Sequence, residues 1–324
     1  MGDIVSPIGL FIDAEPKEDS VLDEVVAGLT STPRRLPPKL FYDAEGSRLF
    51  DAICELEEYY PTRTEAGIMS AYVDEMVDAV GPGAALVEYG SGSSLKTEIL
   101  LSALGDLVAY LPIDISRDHL LASANRIGDN HPGLQVLPVC ADYTLHIPGL
   151  TEFTARHRTV VYFPGSTIGN FDPPHAKQFL AGVATLVGPG GGMLIGVDLK
   201  KHPARLEAAY DDALGVTAAF NLNMLRHINA RLGEVFDVGA FRHRAVWNAA
   251  CGRVEMHLVA SRAQEIRMDG RLFEIAAGES IVTEHSYKYT VEGFRALALS
   301  AGFDSAKVWT DKKHFFSIHY LVAR

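Results

Sequence analysis

A short apolar run, Ala84-Ala85-Leu86-Val87, passes through Glu88-Tyr89 into Gly90-Ser91-Gly92-Ser93-Ser94-Leu95-Lys96-Thr97. This pattern predicts a buried strand that turns tightly into a helix. Glycines spaced G-x-G let the backbone approach a nucleotide-like group more closely than a side chain permits, and the following helix offers it unpaired N–H groups. A dinucleotide fingerprint requires a third glycine three residues after the second. Leu95 stands there, so a dehydrogenase is disfavoured.

Two further strand ends carry acids in the same style. Leu111-Pro112-Ile113-Asp114 ends in an acid 22 residues after Gly92, where it can accept both ribose hydroxyls. Val136-Leu137-Pro138-Val139-Cys140-Ala141 ends in Asp142-Tyr143, an acid for an adenine amino group and a ring to cover the base. Class I methyltransferases share the doubly wound sheet and place an acid just before a G-x-G turn. Glu88, Gly90 and Gly92 resemble that arrangement, which implies S-adenosylmethionine with its amino-acid end over the glycines.

Composition narrows the class. The chain has 324 residues, 48% of them hydrophobic, enough for one large core or two ordinary ones. No apolar run reaches membrane-spanning length, and Met1-Gly2-Asp3-Ile4-Val5 lacks the basic flank and apolar stretch of a secretory signal. Met1-Gly2 with Ser6 matches a bare myristoylation pattern, but no basic patch supplies the second anchoring signal. Cys54, Cys140 and Cys251 form neither a disulfide framework nor a zinc knuckle, and the expected location is the cytoplasm. A formal charge of −12 opposes nucleic-acid and acidic-membrane partners. The 12 histidines include no H-x-x-x-H or H-E-x-x-H pattern, and Asp211-Asp212 has no further ligand at metal-binding spacing, so no metal is expected. Oligomeric state is left open, and a monomer is compatible with the sequence.

Strands and helices alternate from Glu65 to Asp198, as in a mostly parallel sheet with its ligand crevice at the carboxyl ends of the strands. Beyond residue 200 two helical stretches give way to short alternating runs, read as an antiparallel meander with turns at Cys251-Gly252 and Asp269-Gly270. The tail returns to a helix, 292–300, and an antiparallel pair, 305–311 and 314–323. The expected fold is therefore a class I methyltransferase domain, residues 64–200 and 290–324, with an α+β substrate-binding domain from residues 10–63 and 201–289.

Five segments carry a more specific resemblance: Leu36-Pro37-Pro38-Lys39-Leu40-Phe41-Tyr42-Asp43, Glu58-Tyr59-Tyr60-Pro61-Thr62-Arg63-Thr64-Glu65-Ala66, Gly165-Ser166-Thr167-Ile168-Gly169-Asn170, the stretch from Ala209 to Asn221, and Thr283-Glu284-His285-Ser286-Tyr287-Lys288-Tyr289. In this order they closely resemble the L-histidine Nα-methyltransferases of ergothioneine biosynthesis. The resemblance implies three methyl transfers from S-adenosylmethionine to the α-amine of L-histidine, giving hercynine.

It also implies roles. Gly90, Lys96, Asp114, Asp142 and Tyr143 would hold the cofactor, and histidine would lie between the two domains. Asn170 and Tyr210 would take its carboxylate, the Gly165 carbonyl would orient the amine, and Tyr42 would stand near the reacting end. Tyr59, Met256, Glu284 and Ser286 would form the imidazole pocket. Tyr287 departs from the cysteine expected of relatives and would bear on substrate discrimination. On spacing alone, Glu284 reads as a partner of Lys288 on a surface strand, and Asn170 as a helix cap. A relative acting on a tryptophan-derived amine and an inactive cofactor-binding regulator are the competing readings.

Overall fold

The computed structural model describes residues 12–14, 19–92, 95–147 and 149–324. Met1, Gly2 and Ser6 of the N-terminal pattern, and Ser93 and Ser94 of the glycine turn, lie outside the described residues. In chain order the strands are β1 (Ile12–Ala14), β2 (Ala84–Tyr89), β3 (Leu107–Asp114), β4 (Val139–Ala141), β5 (Thr159–Phe163), β6 (Gly192–Asp198) and β7 (Phe241–Asn248). They continue as β8 (Arg253–Ala260), β9 (Gln264–Met268), β10 (Arg271–Ile275), β11 (Ser280–Tyr287), β12 (Phe303–Thr310) and β13 (Phe316–Ala323). The α-helices are α1 (Asp19–Thr30), α2 (Ala44–Glu55), α3 (Tyr60–Val80), α4 (Leu95–Ala103) and α5 (Arg117–Asn130). They are followed by α6 (Leu150–Thr154), α7 (Pro173–Val187), α8 (Pro203–Tyr210), α9 (Val216–Leu232) and α10 (Val291–Ser300).

The chain divides into two compact units. The first contains β1, residues Pro61–Lys200 and residues Tyr289–Arg324. Its eight-stranded sheet has the order β1-β4-β3-β2-β5-β6-β13-β12, parallel through β6 and closed by the antiparallel β13 and β12. Every residue of β2, β5 and β6 is buried, as expected of a parallel sheet covered on both faces. Alternation along β2 sends Ala84 and Leu86 into a core with Met69, Tyr110 and Leu194. It sends Val87 and Tyr89 into another with Phe163, Leu180 and Phe294. The predicted tail pair is present as β12 and β13. Residues 10–63 were all expected in the substrate-binding domain, but β1 pairs in parallel with β4 in the large sheet.

The second unit contains residues 19–60 and Lys201–Lys288. Its three-stranded antiparallel sheet has the order β11-β8-β7. β9 and β10 pair with each other as a separate hairpin, so the expected meander is interrupted and β11 returns to β8. Asp269 and Gly270 both have positive φ, 51° and 66°, the backbone of a tight two-residue turn. Helix α9 packs on α2, β7 and β8. Asp43 ties this packing to the loop before α2: its Oδ1 accepts the N-cap bond from Gly46 N at 2.7 Å and a second bond from Asn223 Nδ2 at 2.7 Å. Phe41 stacks on Phe220 at 4.5 Å, so Tyr42 is held between a capped helix and a stacked ring.

Candidate active site

In the first unit, the ends of β2, β3 and β4 converge. Gly90 adopts φ 72°, and a Cβ on it would lie 3.9 Å from the Tyr143 ring. The strand-to-helix turn thus needs glycine for its backbone rather than for space. Gly92 donates its N–H to Asp114 Oδ2 at 3.3 Å, while Ser116 N donates to Oδ1 at 2.9 Å. Backbone donors on a carboxylate with about four lone-pair sites still leave acceptor capacity for ribose hydroxyls. Burial raises the Asp114 pKa, and the backbone donors act against it. Asp142 Oδ1 accepts from Thr144 N at 2.9 Å and Thr144 Oγ1 at 2.5 Å. Tyr143 stacks on Tyr89 at 5.3 Å, and both Asp114 and Asp142 act electrostatically on its hydroxyl. A hydroxyl-accepting acid, a second acid and a supported aromatic ring fit the ribose and adenine of S-adenosylmethionine.

Glu88 stands beneath the turn. It is 1% exposed, and its oxygens accept from Thr97 Oγ1 at 2.8 and 2.9 Å and from the Tyr110 hydroxyl. Burial, only partly opposed by those bonds, pushes its pKa up to about 8. Its carboxyl fastens β2 to α4 and β3, so any effect on a bound cofactor passes through the turn it anchors.

The loop after β5 is built around a residue that sequence reasoning did not single out. Glu65, on α3, is fully buried. Its carboxylate accepts Gly165 N–H at 2.9 Å and pairs with Lys96 Nζ at 2.5 Å. Gly165 and Ser166 have successive positive φ values, 79° and 59°, a strained turn in the case of serine. Ser166 Oγ accepts from Asp198 N at 2.8 Å, and Thr167 Oγ1 donates to Pro164 O at 3.0 Å. Glu65 therefore places the Gly165 peptide beside Lys96, whose Nζ would lie 3.5 Å from a Cβ on Gly165. Asn170 ends the short 3-10 turn Thr167–Asn170 and is half-buried. Asp172, not Asn170, caps α7 by accepting from His175 N.

In the second unit, the residues expected around an imidazole lie together. Tyr42 packs against Phe50 at 5.9 Å, Phe50 against Tyr59 at 6.2 Å, and Tyr59 against Tyr210 at 6.2 Å. The Tyr210 hydroxyl and Ser286 Oγ are 2.8 Å apart. A bulge between Val282 and Glu284 sets Glu284 opposite Met256 on β8. Glu284 is half-buried and its carboxyl takes part in no hydrogen bond among the described residues. Burial pushes its pKa up to about 7, against the opposing pull of Lys288. Lys288 is 3% exposed, so the surface-strand pairing expected from spacing is not what the fold builds. Tyr287 lies on the other face of β11, where its hydroxyl accepts from Arg253 at 2.5 Å and its ring nears His285 at 6.3 Å.

No helix of the described residues is long and apolar enough to cross a membrane. A parallel sheet closed by an antiparallel pair, with acids at successive strand ends beside a glycine turn, defines a class I S-adenosylmethionine-dependent methyltransferase. A family model described as "Histidine-specific methyltransferase, SAM-dependent" matches residues 21–323, and the chain belongs to that family. It is 42% identical to a histidine N-alpha-methyltransferase of Mycolicibacterium smegmatis, covering 96% of this chain and 98% of that protein. It is 34% identical to ergothioneine biosynthesis protein 1 of Neurospora crassa over 86% of this chain and 32% of that longer protein. A 4-dimethylallyltryptophan N-methyltransferase of Trichophyton verrucosum is 30% identical over 96% of this chain and 95% of its own length.

Proposed function

We propose that the protein transfers three methyl groups in succession from S-adenosylmethionine to the α-amine of L-histidine, forming hercynine as the first step of ergothioneine biosynthesis. Family membership supports the reaction class. The observation that carries the substrate is Glu284, a half-buried carboxylate without a hydrogen bond among the described residues, opposite Met256 and two positions from Ser286. An imidazole N–H is the donor such a group requires, and a hydroxyl beside it serves the same ring edge. An indole ring would leave more of this polar edge unpaired, which disfavours the tryptophan-type substrate of the fungal relative. The acidic charge supports a small-molecule substrate without a nucleic-acid partner, and we place the protein in the cytoplasm.

S-adenosylmethionine supplies a methyl group on a sulfonium, a good leaving group. The protein's part is alignment and the exclusion of water. Asp114, Asp142 and Tyr143 hold the nucleoside, and Gly90 and Gly92 with Lys96 receive the amino-acid end. Asn170 and Tyr210 take the histidine carboxylate, Tyr59 walls the ring, and the Gly165 carbonyl orients the amine. Its position is set by Glu65 through the neighbouring N–H. Tyr42, or water beside it, removes the surplus proton between transfers. No single strong base is assigned. After the third transfer the nitrogen has no lone pair, and the reaction ends.

Calorimetry on Glu284→Ala tests the pocket. Histidine affinity is expected to fall by roughly tenfold or more, the scale of one charge-assisted hydrogen bond, with cofactor affinity retained. Equal loss of both would refute the assignment.

A further inference from the structure

Lys288 follows directly on β11 and is 3% exposed. Its Nζ donates to the Tyr210 hydroxyl at 2.8 Å and to Ser286 Oγ at 2.7 Å, and it stands 4.8 Å from the centroid of the Tyr210 ring. An ammonium ion carries hydrogens and no lone pair. Both hydroxyl oxygens are therefore acceptors toward Lys288, and because the two oxygens are 2.8 Å apart, one hydroxyl donates to the other and a single hydroxyl hydrogen is left for a substrate. A buried cation is costly unless compensated, and Glu284 is a carboxylate it acts on.

We propose that Lys288 is a positioning residue for substrate recognition: by donating to both the Tyr210 and the Ser286 oxygen it orients the hydroxyl pair, so that one hydroxyl hydrogen closes the contact between the two and the other faces the substrate. This rests on the histidine reading above. Its logic is a chain of polarity. The cation fixes two acceptors, which leaves one oriented hydroxyl donor for the substrate, while the same charge favours the Glu284 anion that accepts the ring N–H. Tyr59 also interacts electrostatically with Glu284, and Tyr210, Cys54 and Tyr42 act on Tyr59 in turn. Burial raises the Tyr59 pKa and keeps its phenol neutral, so the charge acting on Glu284 is that of Lys288.

The test compares wild type, K288M, K288Q and K288R for cofactor affinity by calorimetry and for histidine methylation rates between about pH 6 and 9. Loss of the cation is expected to raise the histidine KM by roughly tenfold or more in K288M and K288Q, with cofactor affinity within about twofold of wild type. The acid limb of kcat/KM should move to higher pH, because Glu284 then protonates more readily. K288R retains the charge and should keep the limb in place while raising KM. An unchanged KM with an unmoved limb in K288M or K288Q overturns the proposal, as does equal loss of cofactor and histidine binding, the mark of a purely structural lysine. K288Q keeps a polar group in the buried position should K288M not fold, and a limb displaced in K288R would also count against the proposal. A wild type inactive on histidine removes the reading above and this inference with it, whereas an active wild type with indifferent variants removes only the inference.

Discussion

The Glu65 carboxylate accepts the backbone N–H of Gly165, 100 positions further along the chain, at 2.9 Å. The same carboxylate holds Lys96 at 2.5 Å, so one buried group fixes both a peptide of the β5 loop and a cation in the first turn of α4. Breaking a buried pair by neutralising one partner costs about 3–5 kcal/mol. Glu65→Gln is expected to lower unfolding stability and to weaken cofactor binding together, as measured by denaturant titration and calorimetry. A Cβ on Gly196 would stand 2.0 Å from Glu65 Oε1. Gly196→Ala should therefore act in the same direction, with overpacking costing about 1–3 kcal/mol. A Glu65→Gln protein with native stability and native cofactor affinity would deny Glu65 this role.

Glu284 gives the activity a predicted pH dependence. Its pKa, pushed up to about 7 by burial, means that its ionised fraction falls as pH drops through neutrality. Titrations of the free substrate are common to wild type and Glu284→Gln and cancel in the ratio of their kcat/KM values. That ratio should rise with pH through about 7 and then level off. A ratio constant across the range would mean that the ionised Glu284 does not recognise the substrate.

Tyr287 is predicted to be a bystander. Side chains alternate across a strand, and its hydroxyl is engaged with Arg253 on the face away from Glu284 and Ser286. Tyr287→Cys should leave histidine kcat/KM within about twofold, since the buried ring and its Arg253 contact lie on the face away from the pocket and their loss acts on stability. A large change in substrate selectivity would contradict this placement.

His319 on β13 makes stability depend on acid. It is fully buried, its Nε2 lies 2.9 Å from Ser317 Oγ, and burial lowers its pKa to about 3. An unfolded histidine titrates near 6.5, so the folded chain binds fewer protons below that value. The stability this provides is complete above about 6.5 and is lost as pH falls toward 3. Between pH 7 and 5 the loss from this residue is about 2 kcal/mol. Urea unfolding at the two pH values should show a smaller decline for His319→Asn than for wild type, and equal declines would refute the assignment.

The periods of the strands and the glycine turn were legible because each is a local pattern. β2, β5 and β6 are short apolar runs, and the Asp269-Gly270 turn adopts the backbone its residues favour. What escaped depends on long-range packing. Glu65 reads as one more acid on a helix, and nothing local marks a partner 100 positions away. Lys288 reads as solvated until α8 brings Tyr210 against it. β1 has three residues, too few for a period to show. Glu88 is instructive in the other direction. Its place beside the G-x-G turn suggests a ligand contact, but alternation along β2 puts it on the face of Leu86, against Tyr110, while Tyr89 takes the face of Tyr143.

The central claim is most directly tested by mass spectrometry of the protein incubated with S-adenosylmethionine and an equimolar mixture of the common amino acids, following methyl groups gained over time. The account predicts selective gain on histidine, ending at three methyls on the α-nitrogen. Methylation of another amine in preference to histidine, or no transfer in the presence of bound cofactor, would contradict it.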